Sequence, residues 1–237
     1  MTYNFFILIA LLSVAIVVAI ILFFRIKRKK IEKEIASLQE LINTFLDDLS
    51  NLQQHYITET ESNNFVVKWN DLKLRVSNCN ISSKHKSFDK FNHFKNVFSS
   101  IYDTISLSNE KIIRSVSDKY AEFFSNIDGK SLDFQQRAAV IADDERILVL
   151  AGAGSGKTLT IAAKVKYLCE IKHINPSEIL LISFTKKSAQ EMTERIQNKL
   201  GIPAEATTFH KLGLDIIKRD DGIRPEISES SESESFP

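Results

Sequence analysis

Residues 147–158 read Ile-Leu-Val-Leu-Ala-Gly-Ala-Gly-Ser-Gly-Lys-Thr. Four apolar residues run into a glycine-rich loop that closes on Gly156-Lys157-Thr158. Strand, small flexible residues, then Gly-Lys-Thr opening a helix is the order a phosphate-binding loop requires. Gly152, Gly154 and Gly156 let the backbone turn tightly and bring its N–H groups against phosphate oxygens. The helix that begins near Lys157 aims its positive end at the same place. Lys157 is expected to neutralise the β- and γ-phosphates, and the Thr158 hydroxyl to hold Mg²⁺. The bland alternative is a glycine-rich turn before a buried helix, and the flanking pattern argues against it.

Downstream, Asn175-Pro176 introduces a second parallel-strand candidate at Ile179 to Phe184. A helix from about Lys186 to Leu200 stops at Gly201, with Pro203 just beyond. A short extended piece at 206–208 leads into a last helix, about Phe209 to Arg219. Alternating strands and helices of this length predict an α/β fold with a parallel sheet. Upstream, 131–142 predicts a short helix leading into the loop. Asp133 and Gln136 have the spacing of a capping box at its start.

The chain has 237 residues, with 31 basic and 30 acidic side chains, so it has no global charge to steer a polyanion. Charge is local. The two cysteines, Cys79 and Cys169, have no metal-ligand spacing and are expected to be free thiols. Residues 5–24 carry no charged side chain. A helix of about 20 such residues spans the apolar thickness of a bilayer. Arg25, Lys27, Arg28, Lys29 and Lys30 follow at once, which predicts a single-pass anchor with the rest of the chain in the cytoplasm. A cleaved signal peptide would need basic residues before the apolar run and a small-residue cleavage site after it, and neither is present. The basic cluster is also suited to anionic lipid head groups.

Beyond the anchor, Ile31, Ile35, Leu38, Ile42, Phe45, Leu49, Leu52 and Tyr56 alternate at spacings of four and three. This heptad stripe predicts a long helix continuing from the span. Its seam suits either self-association as a coiled coil or packing on the chain's own later helices, with the intramolecular hairpin slightly favoured. Residues 58–64 suggest a polar break. Residues 65–77, 88–105 and 112–124 carry further helical stripes, with aromatic residues expected in the core, and 78–87 suggests a loop. His85 and His93 suggest solvated helix positions. The acidic, low-complexity end of the chain is expected to be disordered. The expected divisions are an anchor at 1–24, a juxtamembrane and coiled-coil helix at 25–64, and a helical accessory segment at 65–128. An ATP-binding region at 129–219 and a tail at 220–237 complete them.

Leu132-Asp133-Phe134-Gln135-Gln136-Arg137-Ala138-Ala139-Val140, followed by 148–158, resembles the opening of superfamily 1 DNA helicases of the UvrD/Rep type. In that family the loop begins with alanine, so Ala151 and Ala153 fit the pattern. Ser183-Phe184-Thr185-Lys186-Lys187-Ser188-Ala189, with Glu191-Met192 and Arg195-Ile196, resembles motif Ia, and Thr207-Thr208-Phe209-His210 resembles motif Ib. Tyr120-Ala121-Glu122-Phe123-Phe124 and the helical extension look most like the helicase IV branch. The resemblance implies an incomplete P-loop NTPase (RecA-like) sheet preceded by the membrane and coiled-coil helices. It implies ATP and Mg²⁺ as cofactors, with Ala151 to Thr158 around the phosphates and Lys157 and Thr158 serving catalysis. It also implies that Gln136 reads adenine, a role that competes with the helix cap. Leu159 stands where several relatives place an arginine beside the base. Phe184, Thr185, Lys186, Thr208 and His210 would contact single-stranded DNA.

Hydrolysis at such a site needs an apolar strand ending in Asp-Glu. No such strand lies between His210 and Pro237, and Asp143, Asp144 and Glu145 precede the loop strand, at its wrong end. The chain therefore resembles the first third of a helicase, expected to bind nucleotide without unwinding DNA alone. The alternatives are a truncated, membrane-tethered nucleotide-binding module without motor activity, or a coiled-coil adaptor whose loop is a relic.

Overall fold

Helix α1, Thr2–Leu52, opens the fold of a computed structural model that describes the backbone of residues 2–152 and 154–221 and the side chains of 15–152 and 154–220. Five further α-helices precede the loop: α2 (Glu59–Asn78), α3 (Phe88–Ser99), α4 (Ile101–Lys119), α5 (Ala121–Ser125) and α6 (Phe134–Ile141). After it come α7 (Lys157–Glu170), β1 (Leu181–Ser183), α8 (Lys186–Glu194), β2 (Ala206–Thr208) and α9 (Phe209–Asp221). The chain divides into two compact units, Met1–Ile112 with Asp143–Glu145, and Ile113–Ala142 with Arg146–Pro237.

The first unit is all-helical. Along α1, Ile35, Leu38, Ile42, Phe45 and Leu49 are buried against Phe65, Trp69, Leu72 and Val76 of α2 and Phe91, Phe94 and Phe98 of α3. The heptad seam therefore packs within its own chain, as the hairpin alternative expected. Phe45 is its centre, with ring centroids 5.5 Å from Phe65, 5.7 Å from Trp69 and 4.9 Å from Phe94. Ile31 at the start of the stripe is 44% exposed.

Two local expectations are corrected here. Residues 58–64 form no break: Thr58 caps α2, its hydroxyl accepting from the Glu61 N–H at 3.2 Å while its own N–H donates to the Glu61 carboxylate at 2.9 Å. The polar run supplies the cap and first turn of a helix, and the turn falls earlier, at 53–57. His85 lies in the loop before α3, where its ring is 3.3 Å from Glu32 and accepts from the Ser87 N–H.

Part of the expected span at 5–24, the side chains of 5–14, lies outside the described residues. Among the described residues no helix is long and apolar enough to cross a membrane. The apolar side chains from Ile16 to Phe24 project from α1 without cover, with Phe23 and Phe24 each 62% exposed. The acidic tail at 222–237 also lies outside the described residues.

The second unit is α-rich with a small sheet, an arrangement compatible with an incomplete P-loop-type fold. Helix α7 is buried on two sides. Leu159, Ala163 and Tyr167 pack with Val140 and Ile141 of α6 and with Phe124, while Ala162 and Val165 pack with Ile196, Ile202 and Ala204. β1 and β2 pair in parallel, with Leu181 opposite Ala206 and Ser183 opposite Thr208. Helix α8 passes directly into a π-helical turn, Arg195–Lys199, where the Leu200 N–H reaches the Arg195 carbonyl at 3.2 Å, and Gly201 ends it at φ +69°.

The expected loop strand is a correction. Residues 147–150 are extended but unpaired, with Leu148 83% and Leu150 86% exposed. A strand exists through its ladder partner. The described residues supply only one pair, and β1 and β2 take each other.

Candidate nucleotide-binding site

The loop hangs between two helices. Gly156 is the N-cap of α7 at φ +84°, and Gly154 lies at φ +75°, both in the left-handed region that a side chain disfavours. Ala153 is outside the described residues. The Gly152 carbonyl accepts from the Ser155 hydroxyl at 2.8 Å and from Lys157 Nζ at 2.7 Å, and the Ala151 carbonyl accepts from Lys157 Nζ at 3.1 Å. The lysine ammonium thus folds back over the loop's own carbonyls. Thr158 is exposed, with its side chain free to face a cleft.

Gln136 ties the preceding helix to this loop. Its Oε1 accepts from the Asp133 N–H at 3.0 Å, and the Asp133 carboxylate accepts from the Gln136 N–H at 2.8 Å, so the capping box is complete. Its Nε2 donates to the Ser155 carbonyl at 3.1 Å. The amide thus stands at the loop and caps α6 at once, with both of its functions occupied. The approach is tight enough that a Cβ at Gly156 would lie 2.7 Å from Gln136 Nε2.

A cleft of about 580 Å³ opens here, lined by Lys130, Ser131, Gln136, Gly154 to Leu159 and Arg195. This volume is in the range that holds drug-sized ligands. A smaller hollow of about 360 Å³ adjoins it, with Thr158, Glu191, Arg195 and Lys199 on its walls. Leu159, 8% exposed, lines the cleft only marginally and packs mainly in the core. Lys130, Ser131 and Arg195 had no role in the sequence-based reading. Arg195 carries a signal there, as part of the motif Ia-like stretch, whereas Lys130 and Ser131 reach the cleft only through folding.

The residues matched to DNA contacts gather at one edge. Because Ser183 pairs with Thr208, the segments after them leave the sheet side by side. Phe184 is 95% and Phe209 73% exposed, and Lys186 and His210 are exposed too. Thr185 is the N-cap of α8, its Oγ accepting from the Ser188 N–H at 3.1 Å. Thr208 is turned inward at 7% exposure, with its Oγ accepting from the Lys211 N–H at 3.2 Å. Both hydroxyls thus already hold helix starts. Asp144, at the loop strand's other end, accepts from the Tyr56 hydroxyl at 2.6 Å and from the Glu59 N–H at 2.9 Å, a structural role in the helical unit.

Residues 132–228 match the UvrD/REP helicase N-terminal domain family. DNA helicase IV of Escherichia coli is 37% identical over 121 residues, covering 51% of this chain and 18% of that protein. ATP-dependent DNA helicase PcrA of Staphylococcus aureus is 39% identical over 92 residues, covering 38% of this chain and 13% of PcrA. PcrA of Bacillus subtilis is 43% identical over 88 residues, covering 36% and 12%. The chain thus spans less than a fifth of the length of these relatives. Over the stretch that holds the glycine-rich loop, Gln136 and the exposed sheet edge, this chain is homologous to the N-terminal portion of UvrD/REP-type superfamily 1 helicases.

Proposed function

We propose that residues 129–219 are the ATP-binding portion of a superfamily 1 DNA helicase, held at a membrane by residues 5–24 with the remainder on the cytoplasmic side. The observation that carries this reading is the loop itself. Two glycines at positive φ, an α7 N-terminus and Lys157 surround one cleft that Gln136 also lines. Mg²⁺–ATP fits this donor set: backbone N–H groups and one ammonium suit phosphate oxygens, and an exposed threonine hydroxyl suits a hard cation.

In this reading Lys157 leaves the carbonyls of Ala151 and Gly152 for the β- and γ-phosphates, while Thr158 holds the metal. Ala151 to Ser155 close around the phosphates through their backbone. Gln136 reads adenine once its amide exchanges the Asp133 and Ser155 bonds for the base edge. Bound ATP supplies the hydrolysis that drives movement along single-stranded DNA in a complete motor. Phe184 stacks on a base, and Lys186 and His210 attract the phosphate backbone. Thr185 and Thr208 fix the turns that present them. Membrane attachment is supported by the uncovered apolar helix face next to five basic residues.

The alternative, a membrane-tethered module that binds nucleotide without hydrolysing it, is favoured by Asp144, whose carboxylate is taken up by the Tyr56 hydroxyl and the Glu59 N–H. Fluorescent mant-ATP binding by the full chain and by Lys157→Ala tests the shared premise. We expect the substitution to weaken binding at least about tenfold, as loss of a charge-assisted contact would. Negligible, equal binding by both folded proteins overturns the ATP assignment. Turnover stimulated by single-stranded DNA separates the motor from the passive module.

A further inference from the structure

We propose that Arg195 is a phosphate-binding cation of the nucleotide cleft and that Asp128 is the residue that positions it. The proposal rests on the ATP reading of the loop. Arg195 is shared by the walls of both the main cleft and the adjoining hollow beside Thr158. Its Nε is 3.1 Å from one Asp128 oxygen, and Lys199 Nζ is 3.4 Å from the other. The bond engages the side of the guanidinium. Among the described residues the four terminal N–H groups meet no acceptor, and a planar fork of that kind suits phosphate oxygens.

One carboxylate, 11% exposed, holds two cations, and Lys130 and Lys157 line the same cleft. Asp133, Glu191 and Glu194 stand on the same walls, so with Asp128 four acids balance four cations, and the fork of Arg195, not a charge surplus, carries the assignment.

The local backbone is built to hold this arrangement. Asp128 at φ +52° and Gly129 at φ +75° form a tight turn closed by Ile127 N–H to Lys130 carbonyl at 2.7 Å and the reverse bond at 3.1 Å. Asp-Gly is a favoured pair for a turn with two positive φ angles. Asparagine would serve that turn equally well, so the turn alone does not call for a carboxylate. On the other side, Arg195 and Lys199 begin and end the π-helical turn, a local distortion frequent at functional sites. The plain alternative is a surface ion triad that only ties the turn to the helix.

The test uses the full chain, mant-ATP anisotropy at low and high salt, and thermal melting. Arg195→Ala is expected to weaken mant-ATP about tenfold at low salt and to flatten the salt dependence, with Arg195→Lys recovering part of the loss. Asp128→Asn keeps the turn, and its amide oxygen can still accept from Arg195 Nε, so it is expected to weaken binding about threefold with a small change in Tm. In the double variant, Asp128→Asn should add nothing to the Arg195→Ala loss. Unchanged mant-ATP binding in Arg195→Ala, with binding still abolished by Lys157→Ala, overturns this proposal alone. Equal losses at all salts, tracking Tm, also overturn it in favour of the ion triad. Should Arg195→Ala fail to fold, normal binding by Asp128→Asn and by Arg195→Lys overturns it. Absence of binding by the wild-type chain overturns the ATP reading as well.

Discussion

The two units of this chain treat apolar residues in opposite ways. In the helical unit, every heptad position from Ile35 to Leu49 is at most 5% exposed, and four aromatic rings surround Phe45. In the loop-bearing unit, Ile147 to Leu150, Leu180 and Ile182 are all 42% exposed or more. Helices satisfy their backbone internally and need only an apolar face to cover, so α1 to α4 close a core among themselves. Strands need neighbours for their backbone as well as their side chains. Past the uncovered stretch Ile16–Phe24, the first unit covers its apolar stripe within the chain, whereas the second leaves Ile147 to Leu150 uncovered beside its glycine-rich loop.

Core truncation should separate the units most sharply. Phe45→Ala removes a fully buried ring, and such a change costs about 3–5 kcal/mol. Trp69, the only tryptophan, lies 5.7 Å from Phe45 and reports the event directly. Urea denaturation followed by its fluorescence should show a large fall in midpoint. Leu150→Ser, at an 86% exposed position, should change stability by no more than about 0.5 kcal/mol. Comparable losses from both would show that 147–150 is buried in solution and would erase the contrast.

A smaller effect is expected inside the loop, between two glycines. Gly156→Ala places a side chain at φ +84°, with its Cβ 2.7 Å from Gln136 Nε2. The left-handed backbone alone costs about 1–2 kcal/mol, and the amide must also give up Ser155. At Gly152 no atom lies within 4 Å of an added Cβ, and its φ is not positive. Thermal melting should therefore place Gly156→Ala several degrees below Gly152→Ala. Equal melting temperatures would mean that the loop relaxes freely and that Gln136 is no constraint on it.

Much of this was legible in the sequence, for reasons that differ between the units. The stripe from Ile35 to Leu49 revealed its partners' chemistry because helix periodicity survives folding unchanged. Gly201, the extended piece at 206–208 and the loop's order were equally plain, since each depends on local backbone chemistry. Thr58 and Glu61 were misread as part of a break because polar residues mark turns and helix caps alike. The extended but unpaired state of 147–150 was hidden, because pairing depends on which strand lies alongside. The Asp128 contact with Arg195 joins residues far apart in sequence, and no short motif carries it. Gln136 was legible as a helix cap, which it forms, whereas its bond to the Ser155 carbonyl joins residues with no shared local motif.

The smallest effect expected lies where the stretch just before the loop strand returns to the helical unit. The Tyr56 hydroxyl donates to Asp144, and burial, followed by that bond and the nearby carboxylates, pushes the phenol well above its ordinary range. A raised folded-state value means that the folded protein keeps a proton the unfolded chain loses above about pH 10. The stabilisation is thus complete below pH 10 and declines as pH rises toward the folded-state value. Tyr56→Phe should cost on the order of 1 kcal/mol at pH 7, the usual contribution of one such bond. Denaturant midpoints of wild type and Tyr56→Phe should then converge between pH 10 and 11, because only the wild type has this proton to lose. The other tyrosines titrate in both proteins and cancel. A gap that stays constant through pH 11 would show that the folded protein releases the Tyr56 proton no later than the unfolded chain, and that the bond to Asp144 does not hold it.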